Sequence, residues 1–403
     1  MKTPRETKGS KTNAGAIVVM LILLPALLYL LTMNKKDEEE DKAVSRKHKI
    51  TLTAAATVSK IEINLKGYRA VTVYWGDGDT QDITLKPGGD SYVHDYVIPL
   101  KNTIEIIGEM KSLDCFGNQL TDLNINNNPD LKSLRCVRNQ LTALDITRNI
   151  MLSDLCCSDN KLTSLDISKN QMLTELHCCY NQMSWLDLRE NILLKCLDCG
   201  HNQMTFLDLR KNTMLKVLYC FTNKLKSLDL SENTMLQELH CEENQLESLN
   251  LSENPDLDDL QCCQNQLTNL DLSKNTRLQK LRCEGNQLKS LNLTKNHDLI
   301  VLQCNKNQLN DLNLNKNIDL EDLDCSNNRL KTLSLSKNIY LQYADCSGNK
   351  LTAAALNDLF ESLHDNTIPN KSKSIKIYNN PGTDYCDITI AEQKGWNVVV
   401  IES

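Results

Sequence analysis

Aromatic residues are scarce in this chain, 4% of 403 residues with only 4 Phe and 3 Trp, so a local gathering of rings cannot be read as background. Positive charge is not in excess either. Lys and Arg number 45 against 52 Asp and Glu, a formal charge of -7, which argues against a partner bound through a nucleic-acid phosphate backbone. No cysteine precedes Cys115, so nothing near the N-terminus can take a lipid. The apolar run Ala14 to Met33 lacks any charge, and it ends LLTMNKK without the small-x-small exit of a cleaved signal peptide. At about 1.5 Å per residue it is long enough to span a bilayer's hydrocarbon core. We expect an uncleaved transmembrane helix, residues 14–33, behind a basic tail, residues 1–13, that carries Lys2, Arg5, Lys8 and Lys11. Lys35, Lys36, Lys42, Arg46 and Lys47 on the far side rival those charges under the positive-inside rule. The architecture of the rest tips the expectation to a single-pass cell-membrane protein with its repeats facing outside.

What the chain has in plenty is a period. Cys115, Cys136, Cys157, Cys178, Cys199, Cys220, Cys241, Cys262, Cys283, Cys304, Cys325 and Cys346 stand 21 residues apart, the mark of a solenoid. Aligned on that cysteine the repeat reads LxxLxCxxNxLxxLDLxxNxx, as in LQKLRCEGNQLKSLNLTKNHD from Leu278. Leucine and cysteine two apart face the same way in an extended segment, so LxC and the later LDL each suggest a short strand with one buried face. Neither strand could hold alone; stacked in parallel, the coils bury a continuous core of Leu and Cys. An Asn follows each ladder Cys by three residues, Asn118 to Asn349, and a second lies ten further on, Asn128 to Asn338, failing only at Leu359. An amide offers two donors and an acceptor, enough to tie a turning backbone to the next coil.

The pattern resembles the leucine-rich repeats of bacterial surface proteins, of the 21-residue cysteine-ladder, internalin J-like type, and the resemblance covers roughly residues 110 to 359. It implies a leucine-rich-repeat solenoid, mainly parallel β, of twelve 21-residue coils. It implies a scaffold and no catalytic residues, since such proteins share a fold and differ in what they bind.

Seventeen cysteines are an odd number, and twelve belong to the ladder. In-register parallel strands hold their side chains near the strand spacing, wider than the roughly 3.8 Å between β-carbons that a disulfide wants. They are expected as free thiols packing the core, not as redox or zinc ligands. No cofactor is expected.

The flanks differ from the repeats. Residues 34–48, NKKDEEEDKAVSRKH, are charge-dense and nearly without apolar groups, hence a solvated spacer. Residues 49–109 alternate as strands do, in KIEINL, VTVYW and TIEII, around the turn formers GDGD and KPGGD. The WGDG of Trp75 to Gly78, with His94 and Tyr96 downstream, resembles the signatures of PKD-like immunoglobulin-type sandwiches, which implies a small N-terminal β-sandwich. Asp77 and Asp79 fall far short of the six to eight oxygens calcium takes, so turn chemistry explains them better. After the last coil LNDLFESLHD takes helical spacing, Ile375, Ile377 and Asn380 repeat the LxCxxN spacing, and a helix from about Tyr385 to Gln393 precedes the strand NVVVIE. Residues 360–403 thus read as an α/β C-terminal cap, needed because an open coil would expose unpaired strand edges and bare leucine.

Function must sit on faces the core does not use. The outward strand positions lie one and three before the ladder Cys and one after it. Of eight aromatics in the repeats, five fall between Tyr180 and Phe221. Val217, Tyr219 and Phe221 fill the three outward positions of one strand, while Trp185 and Phe206 share one position in adjacent coils beside the second strand. With His177 and His240 they make the expected ligand-binding set, for a protein or a glycan; the alternative is that some rings fold over the rim as packing. The position before the ladder Cys reads Cys156, His177, Asp198, Tyr219, His240 in successive coils, with Cys179 and Cys196 nearby. A Cys–His–Asp row could be a thiol nucleophile with its base, or a soft metal site, although an open sheet offers neither an oxyanion hole nor exclusion of water. Along the coil edge Arg148, Lys169, Lys211, Lys274, Lys295, Lys316 and Lys337 form a basic stripe broken by Glu190, Glu232 and Glu253. A solvated convex stripe is the bland account and contact with anionic headgroups or glycans the sharp one. The sequence therefore points to a membrane-anchored surface binding or adhesion module, not an enzyme. A structural envelope spacer without a specific ligand, and more remotely a cysteine hydrolase, are the alternatives.

Overall fold

The computed structural model describes residues 48–98, 102–366 and 372–401. The chain separates into two units, 1–47 and 48–403, and the expected basic tail, transmembrane helix and charged spacer up to residue 47 lie outside the described residues. Among the described residues no helix is long and apolar enough to cross a membrane.

Six alternating segments open the second unit: β1 (Lys49–Ala54), β2 (Lys60–Lys66), β3 (Ala70–Tyr74), β4 (Thr80–Thr84), β5 (Asp90–Asp95) and β6 (Thr103–Ile107). Period-two burial in β1 and β2 puts Ile50, Leu52, Ile61, Ile63 and Leu65 wholly inside. The first coil then supplies β7 (Ser112–Asp114) and β8 (Leu120–Asn124). One sheet runs β4-β3-β6-β1-β8; in the other, β5 and β2 continue through β7 into the solenoid. The expected β-sandwich is therefore present, but both of its sheets run into the first coil, β1 pairing with β8 and β2 with β7, each antiparallel. The boundary expected at residue 109 divides neither sheet. Asn118, the first ladder amide, already bonds across it, accepting from the Glu62 N–H at 2.9 Å and donating to the Glu62 carbonyl at 2.6 Å.

Eleven further three-residue strands, β9 (Ser133–Arg135) to β19 (Tyr343–Asp345), stack in parallel on β7. All twelve ladder cysteines are fully buried among the leucines, all seventeen cysteines are free thiols, and burial pushes ladder thiols such as Cys241 well up in pKa. The first Asn ladder works as its chemistry suggests. Asn244 donates to the carbonyls of Cys220 at 3.0 Å and Cys241 at 3.1 Å, and accepts from the Leu225 N–H at 3.0 Å. The second ladder is one-sided: Asn233, buried completely, donates to the carbonyls of Leu209 and Asn212 at 3.1 and 2.9 Å, while its Oδ1 has no protein partner.

The LDL segment departs from expectation. Only the first coil makes it a strand, β8, and that strand pairs with the sandwich. In later coils its leucines are buried, but its backbone groups turn to local partners and to the asparagine side chain of the next coil. Asp229 Oδ1 accepts from the Ser231 N–H at 3.1 Å, and the Leu230 carbonyl takes the Asn233 N–H and the Asn254 side chain. Short polar side chains of this kind compete with a sheet ladder. The basic stripe Arg148 to Lys337 lies exposed, as a solvated edge does.

The cap begins earlier than expected, with a helix at Ala353–Ser362 whose N-cap Thr352 accepts from the Ala355 N–H and whose buried face is Ala355, Leu356, Leu359 and Phe360. The ladder runs on past it. Asn380 donates to the carbonyls of Cys346 and Ile377 at 3.0 and 2.8 Å, and β20 (Lys373–Lys376) and β21 (Trp396–Val399) extend the parallel sheet. Between them stand a 3-10 turn, Thr383–Tyr385, and one helical turn, Thr389–Glu392, in place of a single helix from Tyr385.

Candidate functional site

Strand register places Cys156, His177, Asp198, Tyr219, His240 and Gln261 opposite one another in successive coils, the row that the repeat spacing predicts. The row divides chemically into two parts.

At its start, His177 Nδ1 and Asp198 Oδ2 are 4.0 Å apart, an ion-pair distance, and the carboxylate raises the imidazole above its usual range against the opposing effect of burial. Burial pushes the Asp198 carboxyl up, but His177, Cys179 and the Gly200 N–H together bring it below the usual value. The thiols are the weak link. No hydrogen bond joins Cys156 to His177, and burial raises the Cys156 thiol. Cys179 donates to Ser158 Oγ at 3.1 Å and is pushed up to about 12, and Cys196 to about 11, burial being the main cause in both. Each is protonated at neutral pH, so no nucleophile is prepared. The Cys156, His177 and Asp198 ligand atoms do not converge either: among the described residues only Asp77, Asp79 and His94 bring three ligand atoms within 4.8 Å of one another. There Asp77 is engaged, with Oδ2 2.7 Å from His94 Nε2 and Oδ1 accepting from the Asp79 N–H. His94 in turn lies flat on Trp75, with ring centroids 4.9 Å apart, and the Tyr96 hydroxyl donates to the Trp75 carbonyl at 2.7 Å. These contacts account for the WGDG and HxY spacing as one structural cluster.

The second part of the row is aromatic. Tyr219 stacks on His240 with centroids 4.3 Å apart, and its hydroxyl donates to Glu238 Oε2. His240 Nε2 lies 3.0 Å from Gln261 Nε2 and 3.7 Å from Asp259 Oδ1. Phe221 lies over Gly200, where a β-carbon would come within 2.7 Å of the ring, so the missing side chain is what admits it. Its edge meets His201 at 5.4 Å, and His201 stacks on Tyr180 at 4.0 Å. Five rings from coils four to seven thus form two stacks on one face. Val217, Tyr219 and Phe221 are half-buried by these lateral contacts, not fully exposed. Trp185 and Phe206, 58% and 63% exposed, sit eight residues beyond the strands ending at His177 and Asp198, past the turn, and among the described residues neither packs on another ring. The expected single centre is therefore a strand-face cluster plus a separate exposed pair. Tyr180 and His201 were missing from the expected set. Both occupy the position two after the ladder Cys, with φ of 52° and 46°, and lining up that column beside the three outward ones would have found them.

Two concavities of about 390 and 460 Å³ lie elsewhere, the first lined by Asp311, Thr332, Ala355 and Asp358, the second by Glu62, Ser91, Phe116 and Arg135.

No protein-family model and no curated protein matches the chain, the PKD-like segment included. Solved structures do. The functional domain of InlJ from Listeria monocytogenes, which includes a cysteine ladder, is 29% identical over 75% of this chain with a TM-score of 0.64, and the chain spans 66% of that protein. The internalin InlF of L. monocytogenes str. 4b F2365 is 21% identical over 73% of this chain and 87% of its own, with a TM-score of 0.65. YopM, an effector of Yersinia pestis, follows at 21% identity, 72% and 88% coverage and a TM-score of 0.52. Twelve buried, unpaired cysteines in register, the repeating Asn at the strand end, and the likeness to InlJ make this chain a leucine-rich-repeat solenoid of the internalin-like, cysteine-ladder type.

Proposed function

We propose that this chain is a membrane-anchored surface module that holds a protein or glycan ligand on the exposed strand face of its repeats. The observation that carries the reading is the ring cluster of coils four to seven. Tyr180, His201, Phe221, Tyr219 and His240 stack across neighbouring coils while retaining exposed surface, and none of them fills the Leu–Cys core. Rigid rings with one polar edge are the usual anchors of recognition surfaces. The uncharged run Ala14 to Met33 would tether the module, with the repeats outside.

The test is adhesion. Beads bearing the chain are scored for retention on cell surfaces and on glycan arrays, beside Tyr219→Ala with Phe221→Ala and, as a control on the same face, Val301→Ala with Gln303→Ala. Loss in the first variant alone supports the module. Retention unaffected by either favours the spacer reading. Protease added to intact cells should shave the repeats and leave the tether in the membrane fraction; full protection would place the repeats inside.

A further inference from the structure

Immediately beyond the ring cluster the strand face turns acidic. In coils seven to nine the position after the ladder Cys is Glu242, Cys263 and Glu284, held in adjacent coils by the bonds Glu243 N–H to Cys263 carbonyl at 3.0 Å and Gln264 N–H to Glu284 carbonyl at 2.8 Å. Glu242 Oε2 and Glu284 Oε2 are both shielded from solvent and accept no hydrogen bond, while the Cys263 thiol between them donates to the Glu284 carboxylate. Such an oxygen costs free energy until a donor reaches it. Burial holds the Glu242 carboxyl above its usual range. Glu243 adds to the charge of the pair, and three to four residues before the ladder Cys the same coils carry a second acidic group, Glu238, Asp258 and Asp259, against which the face sets Lys280, already 3.2 Å from Asp259, and Arg282. The patch is negative, unsatisfied, and adjoins Tyr219 and Phe221.

We infer that this face docks an extended basic segment of a partner protein, whose cationic side chains take Glu242 and Glu284 while its apolar groups lie on Tyr219 and Phe221. The spacing selects the segment. Glu242 and Glu284 are two coils apart, about 9.6 Å at the strand separation of ~4.8 Å. In a polyproline-type helix residues i and i+3 share a face about 9.3 Å apart, so Arg or Lys at every third position meets both carboxylates when the segment runs along the solenoid axis. Guanidinium–carboxylate bonds are charge-assisted and directional, which makes Arg the better fit. A single metal ion does not suit carboxylates held either side of Cys263. Their ligand atoms do not converge, in contrast to those of Asp77, Asp79 and His94.

This inference rests on the strand-face reading above and adds the chemistry of the partner. The experiment measures fluorescence anisotropy of labelled Pro/Ser dodecapeptides, with Arg at every third or every second position or citrulline at every third, against the full chain in detergent micelles. The Arg-every-third probe should bind more tightly than the other two. Glu242→Gln with Glu284→Gln should weaken it by at least about tenfold. Glu247→Gln with Glu253→Gln, the same charge change at two exposed positions of coil seven away from the patch, should alter it less than about twofold. Equal losses in the two double variants, equal binding of the citrulline probe, or displacement by millimolar calcium in the wild type alone would each overturn the inference. If bead adhesion falls with Tyr219→Ala and Phe221→Ala while the Glu242→Gln, Glu284→Gln variant supports bead adhesion and binds the peptide normally, the acidic dock is wrong and the strand-face module stands. If neither variant affects beads or peptide, both fall.

Discussion

The two asparagine ladders look equivalent in the repeat but should not weigh equally in stability. Asn244→Ala leaves the Leu225 N–H, which had Asn244 Oδ1 at 3.0 Å, buried without an acceptor, at roughly 1–3 kcal/mol. It also deletes bonds to the carbonyls of Cys220 and Cys241. Those oxygens keep Asn223 at 3.1 Å and Asn265 at 3.0 Å, so their loss adds only about 1 kcal/mol. The total is about 2–4 kcal/mol. Asn233→Ala removes bonds to carbonyls that keep backbone donors, Asn212 N–H on Leu209 at 2.9 Å and Leu215 N–H on Asn212 at 3.1 Å, and it discards an Oδ1 that was already unpartnered. Its cost should be about 1–2 kcal/mol, chiefly two net bonds and a small void. Because a solenoid can open coil by coil, global melting is supplemented by amide exchange resolved to the peptide containing Leu225. Protection there should fall roughly 30- to 900-fold in Asn244→Ala, the equivalent of 2–4 kcal/mol, and much less in Asn233→Ala. Equal losses for the two variants, or a larger one for Asn233→Ala, would refute the assignment of the Leu225 amide to the Asn244 side chain.

Cys241→Asp should destabilise by several kcal/mol, since it buries an unpaired charge among leucines, whereas Cys241→Val should cost about 1 kcal/mol; equal thermal midpoints would contradict the inward ladder. Iodoacetamide followed by mass spectrometry should modify the half-buried Cys156, Cys179, Cys196, Cys263 and Cys386 slowly and spare the twelve buried ladder thiols, all seventeen reacting once urea is added; ladder labelling in native buffer would show the coils opening. The His177–Asp198 pair should make stability fall slightly as pH rises. Its contribution is complete below the imidazole's ordinary 6.5 and fades through the higher folded value, by less than about 1 kcal/mol for a half-buried pair held no closer than 4.0 Å. His177→Gln should flatten that slope in melts between about pH 5.5 and 8, and an unchanged slope would assign it to other groups.

The sequence made the solenoid legible because both its signals are tied to the core: Leu and Cys recur in the inner columns, with occasional replacements such as Ile146, Met183 and Ala344, and Asn supplies donors and acceptor at the strand end. The LDL strand misled because alternation reports which side chains are buried, not where the backbone hydrogen bonds go, and Asp229 and Asn254 draw those bonds elsewhere. The continuity of the sandwich with the first coil was invisible for a related reason. β2 and β7 are antiparallel neighbours separated by four other strands in the chain, a pairing that no local pattern encodes. At the site, register alone placed Cys156, His177 and Asp198 in one row, but reactivity depends on side-chain direction and burial, which the register does not give. His201 escaped notice because it lies in the turn, where its stacking on Tyr180 depends on a left-handed backbone.

That turn has an engineering consequence. The residue two after the ladder position is left-handed in coil after coil, and while Gly117, Gly285 and Gly348 suit it, Arg138, Asp159, Tyr180, His201, Thr222, Glu243, Gln264, Lys306 and Asn327 hold the same conformation with side chains attached. An ordinary residue there carries roughly 1–2 kcal/mol of strain, most for a β-branched one such as Thr222 and least for Asn or Asp. The column is therefore a set of tuning points outside the core, coupled where neighbours meet, as Arg138 does Asp159 and Thr222 does Glu243. Lys306→Gly would relax a turn at no packing loss, so a more heat-tolerant scaffold is reachable by editing the coils outside the ring cluster while Tyr180 and His201 keep their rings.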